Sequence, residues 1–396
     1  MPEPAPSSAI LASHSVNRPG EVDRLNTILE DAGLGRPLGP PARSTSSVVV
    51  LPVSADPRAV AAALRRAAPE GGGDHYEASS PYSVHTVNHD TTNTEQALIP
   101  TVPLLTAKGI KSGHGTVAWV PVGPDKMKPA PPWPPHVSPP VVVVLDSGVK
   151  RHNWLPPHTD NPDKDNPNFC IDPQPDPSYG LPLFDDALHT GEFGGYWGHA
   201  TFLAGLIRLS APDAQVVSVR LMSDNGTLND YDVLSALDWL TQYMDDGNEA
   251  DVVLMAFGRP KEPGEDNPAS LVQKLARLGQ RAVTFVASAG NRQVTSTGDL
   301  GPNTEVIPAC LAADPDSPVV SVGAGTSADD REPYSMYGPW VREWRPGTVV
   351  SLMPLTAPGG GGNGYALWSG TSFSAAIRAG ELAQARATER AASAGT

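Results

Sequence analysis

Five continuously apolar runs constrain the fold of this chain more than any other feature of its sequence; they are 141–145, 214–222, 251–257, 282–288 and 319–323. Helical patterns lie between them, at 198–209, 230–244 and 269–278. A strand that is apolar along its whole length is buried on both faces, and such strands alternating with helices form parallel sheets. The sequence therefore predicts an α/β fold: a mostly parallel sheet with helices on both faces.

The rest of the chain divides into segments of different composition, since its 43 prolines and 38 glycines are unevenly spread. We expect a flexible N-terminal segment with one candidate helix at 1–45, a small module at 46–123, a Pro-rich linker at 124–140 and the main domain at 141–396. A stiff spacer is the expected role of the linker, with an SH3-type ligand as the alternative.

The small module is predicted from a strand–helix–strand pattern. An apolar run at 47–53 precedes a helix from 57 to about 67, which Asp56 and Pro57 are suited to begin. Alternating strand patterns follow at 82–87 and 116–122. These elements predict a small α/β or α+β module in front of the main domain.

Composition excludes several classes of function. A net charge of -15 and a pI near 5.0 argue against nucleic acid or an anionic membrane as the partner. No run approaches the roughly 18–20 apolar residues that span a bilayer, and the N-terminal sequence lacks the basic and apolar regions of a secretory signal. Two cysteines, Cys170 and Cys310, fit a reducing compartment. We expect a cytoplasmic protein.

The stretch that carries the chemistry is near the C-terminus. A strand-like run at 365–369 is followed by Gly370 and Thr371, and an Ala-rich helical pattern extends from 373 to about 387. This geometry puts the hydroxyl of Ser372 at a helix N-terminus, where main-chain N–H groups favour a developing negative charge. A serine attacks a carbonyl only if a base takes its proton and donors hold the oxyanion.

Three further residues can supply those parts. Asp146 directly follows the apolar run 141–145, His199 opens a predicted helix among small residues, and Asn291 follows the run 282–288. Taken singly, each has an ordinary structural explanation: an Asp that caps a turn, one of ten histidines, and a turn asparagine. Because ligands bind at the carboxyl ends of parallel strands, we expect these side chains to meet there.

Taken together, the segments resemble the subtilisin-like (subtilase) serine peptidases over roughly residues 141–390. The matching stretches are Leu145-Asp-Ser-Gly148, His199-Ala-Thr-Phe-Leu-Ala-Gly205, Ala289-Gly-Asn291 and Gly370-Thr-Ser-Phe-Ser374, and the order Asp, His, Ser is that of subtilisin. The resemblance implies that Ser372 is the nucleophile, His199 its base, Asp146 the carboxylate that orients His199, and Asn291 the oxyanion donor.

The resemblance also implies how a substrate binds. In the family a peptide or protein substrate lies as an additional strand against two backbone segments. The matching positions in this chain are Ala256, Phe257 and Gly258, and Ser288, Ala289 and Gly290. Val306 would restrict the primary specificity pocket, and Glu305 beside it would attract a basic side chain.

Several positions depart from the family pattern. Ala200 and Phe202 replace a glycine and a second histidine, and residues 373–376 differ from the usual sequence after the nucleophile. All four catalytic positions are retained, so we expect an intracellular serine endopeptidase that acts through an acyl-enzyme on restricted substrates, in peptide maturation or regulated cleavage. The alternative is a non-catalytic scaffold of the same fold that binds peptides or partners.

Two expectations concern what accompanies the active site. No cofactor is needed for this chemistry; the acidic stretch 160–168 is more typical of a solvated loop than of a calcium site, which is the alternative. The module at 46–123 is either a propeptide that assists folding and blocks the cleft, or a permanent domain that recruits substrate or a regulatory partner.

Overall fold

The structure is a computed structural model that describes residues 9–44, 48–68, 76–78, 81–83, 109–112, 115–119, 137–149, 152, 154–155, 170–171, 198–212, 214–221, 227–292, 300–354 and 364–394. The helices are α1 (Glu21–Asp31), α2 (Pro57–Ala67), α3 (His199–Ser210), α4 (Asp230–Asp245), α5 (Ala269–Gly279) and α6 (Thr371–Ala394), with 3-10 turns at His14–Asn17 and Ala309–Ala313. The strands before the main domain are β1 (Ala9–Ser13), β2 (Arg43–Ser44), β3 (Val48–Pro52), β4 (Tyr76–Ala78), β5 (Pro81–Ser83), β6 (Gly109–Ser112) and β7 (Gly115–Trp119). Those of the main domain are β8 (Val141–Asp146), β9 (Cys170–Ile171), β10 (Gln215–Arg220), β11 (Thr227–Asn229), β12 (Val252–Met255), β13 (Arg259–Pro260), β14 (Thr284–Ser288), β15 (Val306–Ile307), β16 (Val319–Ala324), β17 (Glu343–Arg345), β18 (Thr348–Leu352) and β19 (Tyr365–Ser369).

A seven-stranded parallel sheet forms the centre of the main domain, in the order β17-β16-β14-β12-β8-β10-β9. Successive side chains of β8 point to opposite faces: Val142 and Val144 pack in a core that includes α3 and α6, and Val143 packs in a core that includes α4 and α5. Both faces are therefore covered, which is why the strands are continuously apolar. The predicted α/β fold is confirmed.

Local capping explains where several helices begin. Asn229 and Asp232 form a reciprocal capping box at the start of α4. The carboxylate of Asp56 accepts hydrogen bonds from the main-chain N–H groups of Arg58 and Ala59, so α2 begins at Pro57 as predicted. Helix α5 has Pro268 at its N-cap and no side-chain cap of its own.

An antiparallel sheet of order β2-β3-β1-β4 forms the N-terminal module. The structure differs here from the expectation of a flexible segment at 1–45, because β1 lies between β3 and β4 and pairs with β3 over its full length. Ile10 of β1 packs against α1 and α2, whereas Leu11 packs in the core that contains α4. The module is thus an apolar sandwich with helices of its own on one face and the main domain on the other.

Two further strands from the first 119 residues pair with the main domain. Strand β5 pairs with β11, which immediately precedes α4. Strand β7 pairs with β19, giving a four-stranded sheet of order β18-β19-β7-β6. The strand predicted near 116–122 therefore exists as β7, but it joins the sheet that leads to Ser372 rather than the sheet of the module.

Two of the predicted features lie in stretches that the structure does not describe. The acidic stretch 160–168, the alternative calcium site, is outside the described residues, as is most of the Pro-rich linker. Within the described ranges, no group of three or more His, Cys, Asp or Glu is placed to hold a metal ion, and no helix is both long and apolar enough to cross a membrane. Cys310 is a free thiol whose burial raises its pKa to about 11.

Candidate active site

Asp146 and His199 form a buried hydrogen-bonded pair. Nδ1 of His199 lies 2.9 Å from Oδ1 and 3.0 Å from Oδ2 of Asp146, and both side chains are shielded from solvent. The main-chain N–H and the hydroxyl of Ser147 also donate to Oδ1, over 2.8 and 3.1 Å. Because a carboxylate only accepts, Nδ1 must carry the proton, and Nε2 is then the basic nitrogen of the ring.

The backbone before His199 requires a glycine. Gly198 precedes α3 with φ of 82°, in the left-handed region that favours glycine. A Cβ atom there would lie 2.8 Å from Cδ of Pro354. The first turn of α3, and with it His199, is therefore packed directly against the chain that follows β18.

Aromatic side chains pack around the His199 ring. The ring centroids of Trp368 and Phe373 each lie 5.6 Å from that of His199. Phe202 packs in turn on Phe373 at 4.4 Å and on Trp368 at 5.7 Å. Two of the departures from the family pattern, Phe202 and Phe373, are thus one packed unit behind the histidine. Its sequence signal is the spacing of Phe202, three residues beyond His199 on one helical face.

Ser372 is the second residue of α6, and only 2% of it is exposed. Its hydroxyl donates a hydrogen bond of 3.1 Å to the carbonyl of Ala256, one of the residues expected to bind substrate. The serine therefore lies at the N-terminus of a helix, as the sequence indicates, and next to the segment that follows β12.

Asn291 is joined to the turn that carries Ser372. Its Oδ1 accepts a 3.0 Å hydrogen bond from the main-chain N–H of Thr371, and the Oγ1 of Thr371 accepts one of 3.2 Å from the N–H of Gly290. A Cβ atom on Gly370 would lie 3.4 Å from Nδ2 of Asn291, so the amide NH₂ is on the side of that turn. The four residues expected to act in catalysis are buried at the carboxyl ends of β8 and β14 and the starts of α3 and α6.

The two segments expected to bind substrate follow β12 and β14. Val306 lies between them: a Cβ atom built on Gly258 would be 2.3 Å from its Cγ1, and one on Gly290 would be 2.8 Å from its Cγ2. The pairing of β13 with β15 holds Val306 there. Glu305, by contrast, pairs with Lys261 at 3.3 Å, so its charge is shared with a lysine.

Phe257 and the 288–290 segment complete this region. Ala256, Phe257, Ser288 and Ala289 are all buried. The main-chain carbonyl of Gly290 accepts a 2.9 Å hydrogen bond from the N–H of Met336, and Met336 packs in one apolar cluster with Ala289 and Val306. The expected substrate segments are therefore close to the catalytic residues, with an apolar side chain filling the space between them.

Comparison with known proteins points to one family. The family model described as "Subtilase family" matches residues 138–394, more than half of the chain. A "Subtilisin-like protease 2" of Trichophyton tonsurans is 27% identical over 208 residues, which cover 51% of this chain and 43% of that protein. The protein of the same description from Trichophyton verrucosum is 30% identical over 202 residues, covering 49% and 42%.

Among solved structures, a crystal structure of a lanthipeptide protease matches with a TM-score of 0.44 and 22% identity, covering 64% of this chain and 74% of that one. The match to the Trichophyton proteins spans less than half of their length.

Proposed function

This chain belongs to the subtilase family, and on that premise we propose that it is a serine endopeptidase that hydrolyses peptide bonds through an acyl-enzyme. The observation that carries the proposal is the buried pair in which Nδ1 of His199 meets both carboxylate oxygens of Asp146, at 2.9 and 3.0 Å. Such a pair keeps Nε2 basic, which is what a serine nucleophile at the start of α6 requires.

In the proposed reaction, Nε2 of His199 takes the proton of the Ser372 hydroxyl while Oγ attacks the carbonyl carbon of the peptide bond. The carbonyl π electrons move to its oxygen, which accepts hydrogen bonds from Nδ2 of Asn291 and from the main-chain N–H of Ser372. The oxyanion then collapses, the C–N bond breaks, and His199 gives its proton to the departing amine. A water molecule, deprotonated by His199, releases the acyl group by the same steps.

The carboxylate of Asp146 stabilises the imidazolium that forms in both stages. Two donors from Ser147 and one from His199 hold it, so it does not have to rotate during the reaction. The Ser372 proton is directed to the Ala256 carbonyl before reaction, and it must turn to His199 for attack. In this mechanism Asp146 stabilises the imidazolium, and Asn291 and the Ser372 N–H are the donors proposed for the oxyanion, so no step requires a metal or a cofactor.

We further propose that the substrates are restricted by Val306. Its two methyl groups lie against the backbone of Gly258 and Gly290, so little space is left for a side chain between those segments. The residue on the acyl side of the cleaved bond is then small: Gly, Ala or Ser. A narrow range of this kind suits the intracellular setting expected from the low cysteine content, where unselective proteolysis is harmful.

The N-terminal module is proposed to remain packed on the main domain in the working protein. The support is its shared apolar core with α4, the pairing of β5 with β11, and the hydrogen bond of 2.9 Å from the Ser270 N–H to Glu77 of β4. A regulatory partner would act by loosening these contacts.

Labelling with a fluorophosphonate serine-hydrolase probe, followed by intact mass and peptide mapping, tests the catalytic proposal on the full chain. The wild type is expected to gain one label, at Ser372, and Ser372→Ala none. Asp146→Asn keeps an oxygen for Ser147 but turns an NH₂ group toward Nδ1 of His199. This favours the tautomer with the proton on Nε2, which cannot accept the Ser372 proton. Labelling should therefore slow by about 10⁴-fold. A wild type that labels under no condition would favour the alternative, a peptide-binding scaffold.

A further inference from the structure

His152 has no role in the proposed reaction, yet it is buried where three parts of the active site meet. It lies six residues beyond Asp146, between the end of β8 and the start of β19, and only 5% of it is exposed. Its ring packs edge-on against Tyr365, the first residue of β19, with centroids 5.6 Å apart.

Two hydrogen bonds fix the protonation state of this ring. The main-chain N–H of Trp154 donates to Nδ1 over 3.1 Å, so Nδ1 must be unprotonated. Nε2 lies 3.0 Å from the carbonyl oxygen of Gly364, which only accepts, so Nε2 must carry the hydrogen. The geometry therefore needs a neutral imidazole with its proton on Nε2.

The same contacts connect the three segments that carry Asp146, His199 and Ser372. The Gly364 carbonyl, just before β19, also accepts a 2.8 Å hydrogen bond from the N–H of Met353. Cε of Met353 would be 3.0 Å from a Cβ atom on Gly198, the residue before His199. His152 itself belongs to the chain that follows Asp146, and β19 leads directly to Ser372.

A second contact strengthens the link to β19. The indole Nε1 of Trp154 donates to the hydroxyl of Tyr365 over 2.5 Å. Within the described part of the chain, the groups packed on His152 are thus the phenol of Tyr365, the main chain of Trp154 and the carbonyl of Gly364. None of them carries a charge at neutral pH, so the Gly364 carbonyl is the only one of these groups that favours an imidazolium, and no carboxylate among them compensates its charge.

We propose that neutral His152 is a positioning residue, which holds the segments bearing Asp146, His199 and Ser372 in the arrangement needed for attack, and that its protonation slows the reaction. The proposal rests on the proposed function of Ser372. An imidazolium would direct an N–H from Nδ1 at the Trp154 N–H, and two donors cannot share a hydrogen bond. The loop after β8 would then separate from β19.

The expected pH dependence has a definite sign. Burial lowers the pKa of His152, and the hydrogen bond with the Gly364 carbonyl offsets this only in part. A histidine whose pKa is lower in the folded state contributes stability that is present above its unfolded value, about 6.5, and lost as the pH falls through its folded value. The positioning role is therefore intact at neutral pH and lost in acid.

The test compares the second-order rate of fluorophosphonate labelling, as a function of pH, in the wild type, His152→Gln and His152→Ala. The amide nitrogen of a glutamine can replace Nε2 as donor to Gly364, and it does not titrate. At about pH 8, we expect His152→Gln to label nearly as fast as the wild type. We expect His152→Ala to label about 10- to 100-fold more slowly, the loss that displacement of reacting groups causes.

The acid side of the profile separates positioning from mere stability. At the lowest pH values the rate in the wild type should fall with an order in protons one higher than in His152→Gln, because His152 takes up a proton that a glutamine does not. Equal rates for His152→Ala and the wild type, or the same order in His152→Gln as in the wild type, would overturn the proposal.

A readout that needs no activity completes the test. In the Ser372→Ala background, the melting temperature should fall more between about pH 6.5 and 5 with His152 present than with His152→Gln. If the melting temperatures of the two proteins changed with pH in the same way, the proposal that His152 must be neutral would be overturned. A wild type that labels at no pH would contradict both the proposed function and the positioning role. If the wild type labels but the pH profiles of the His152 variants match its own, only the positioning role is contradicted.

Discussion

The main-chain N–H of Thr371 donates a 3.0 Å hydrogen bond to Oδ1 of Asn291. Thr371 directly precedes Ser372, so the residue proposed as oxyanion donor is bonded to the turn that carries the proposed nucleophile. The amide of Asn291 thereby has its oxygen engaged and its NH₂ group turned toward Gly370. A shift of either group would shift the other. The two roles of Asn291, as acceptor for the Thr371 N–H and as proposed oxyanion donor, can be separated experimentally.

Asn291→Asp and Asn291→Ala distinguish the two roles of Asn291. Aspartate keeps an oxygen for the Thr371 N–H but has no donor, so kcat should fall by about 10²–10³-fold, a figure that comes from this same donor in subtilisin. Because Asn291 is buried, the aspartate should lower the melting temperature at neutral pH and less so in acid, where the carboxyl group is protonated. Alanine also leaves the buried Thr371 N–H without its acceptor, so the same loss of kcat should come with about 1–3 kcal/mol of lost stability. Steady-state kinetics and thermal melts give both readouts, and an active Asn291→Asp enzyme would contradict the assignment.

Val306→Ala should widen the specificity of the proposed peptidase. Removal of the two Val306 methyl groups opens space between Gly258 and Gly290. Peptides that differ only in the residue before the cleaved bond should then show kcat/KM rising about 10- to 200-fold for a large apolar residue, while small residues change little. Val272→Ala, on the exposed surface of α5, is the matched control. A wild type that already prefers large residues at this position would refute the role of Val306.

Gly205→Ala should destabilise the protein and displace α3. A Cβ atom at Gly205 would lie 2.3 Å from Oγ of Ser351 and 2.7 Å from Cγ of Leu352, both on β18, so helix and strand must separate. Overpacking of this kind costs about 1–3 kcal/mol. Because His199 begins the same helix, labelling of Ser372 should slow as well. At Gly39, a Cβ would make only ordinary contacts, 3.6 Å from Pro52, so Gly39→Ala should leave both denaturant melts and labelling unchanged.

Glu77→Ala should weaken the attachment of the N-terminal module. Its carboxylate accepts the hydrogen bond from the N–H of Ser270 in the first turn of α5, a helix that lacks a side-chain cap of its own. Loss of such a cap costs about 0.5–2 kcal/mol. Glu77→Gln keeps the acceptor and loses only the charge, so it should cost less, and its effect should shrink with salt.

The control for Glu77 is another pair across the same boundary. Arg58 and Glu262 are 3.6 Å apart and about half exposed, so Arg58→Ala should change the melting temperature little. Equal effects of Glu77→Ala and Arg58→Ala would mean that capping of α5 does not hold the module in place.

The strands and helices of the parallel core could be predicted from the sequence because the apolar pattern of each lies within one short segment of the chain. The apolar run at 141–145 became Val141–Asp146, and the helical patterns at 230–244 and 269–278 became Asp230–Asp245 and Ala269–Gly279. The apolar pattern of each helix follows from which face is buried. Residues three or four positions apart lie on the same face, so the pattern can be recognised within the segment itself. The site residues could be proposed for a different reason: taken singly, Asp146, His199 and Asn291 each have an ordinary structural explanation, and the resemblance of four segments to the subtilases implied their roles.

The relationships that depend on distant pairing could not be predicted. Ala9–Ser13 is too short and too close to prolines to stand out as a strand, and its place between β3 and β4 is set by its partners. The resemblance implied that Val306 restricts the specificity pocket, but the pairing of β13 with β15, which holds it between Gly258 and Gly290, has no local signal in the sequence. The role of His152 could not be predicted because its partner Gly364 is 212 residues away in the chain.

The pairing of β7 with β19 has a consequence for how the protein is made. Trp119 and Ala366 are neighbours in one sheet, yet β7 leaves the ribosome long before its partner strand is synthesised. Until β19 emerges, the edge of β7 that pairs with it is unpaired, and unpaired edges are sites where chains associate wrongly. Strand β19, which leads to Ser372, therefore pairs with β7 only once it has itself been synthesised, so the sheet in front of the proposed nucleophile does not assemble in a chain that ends before residue 365.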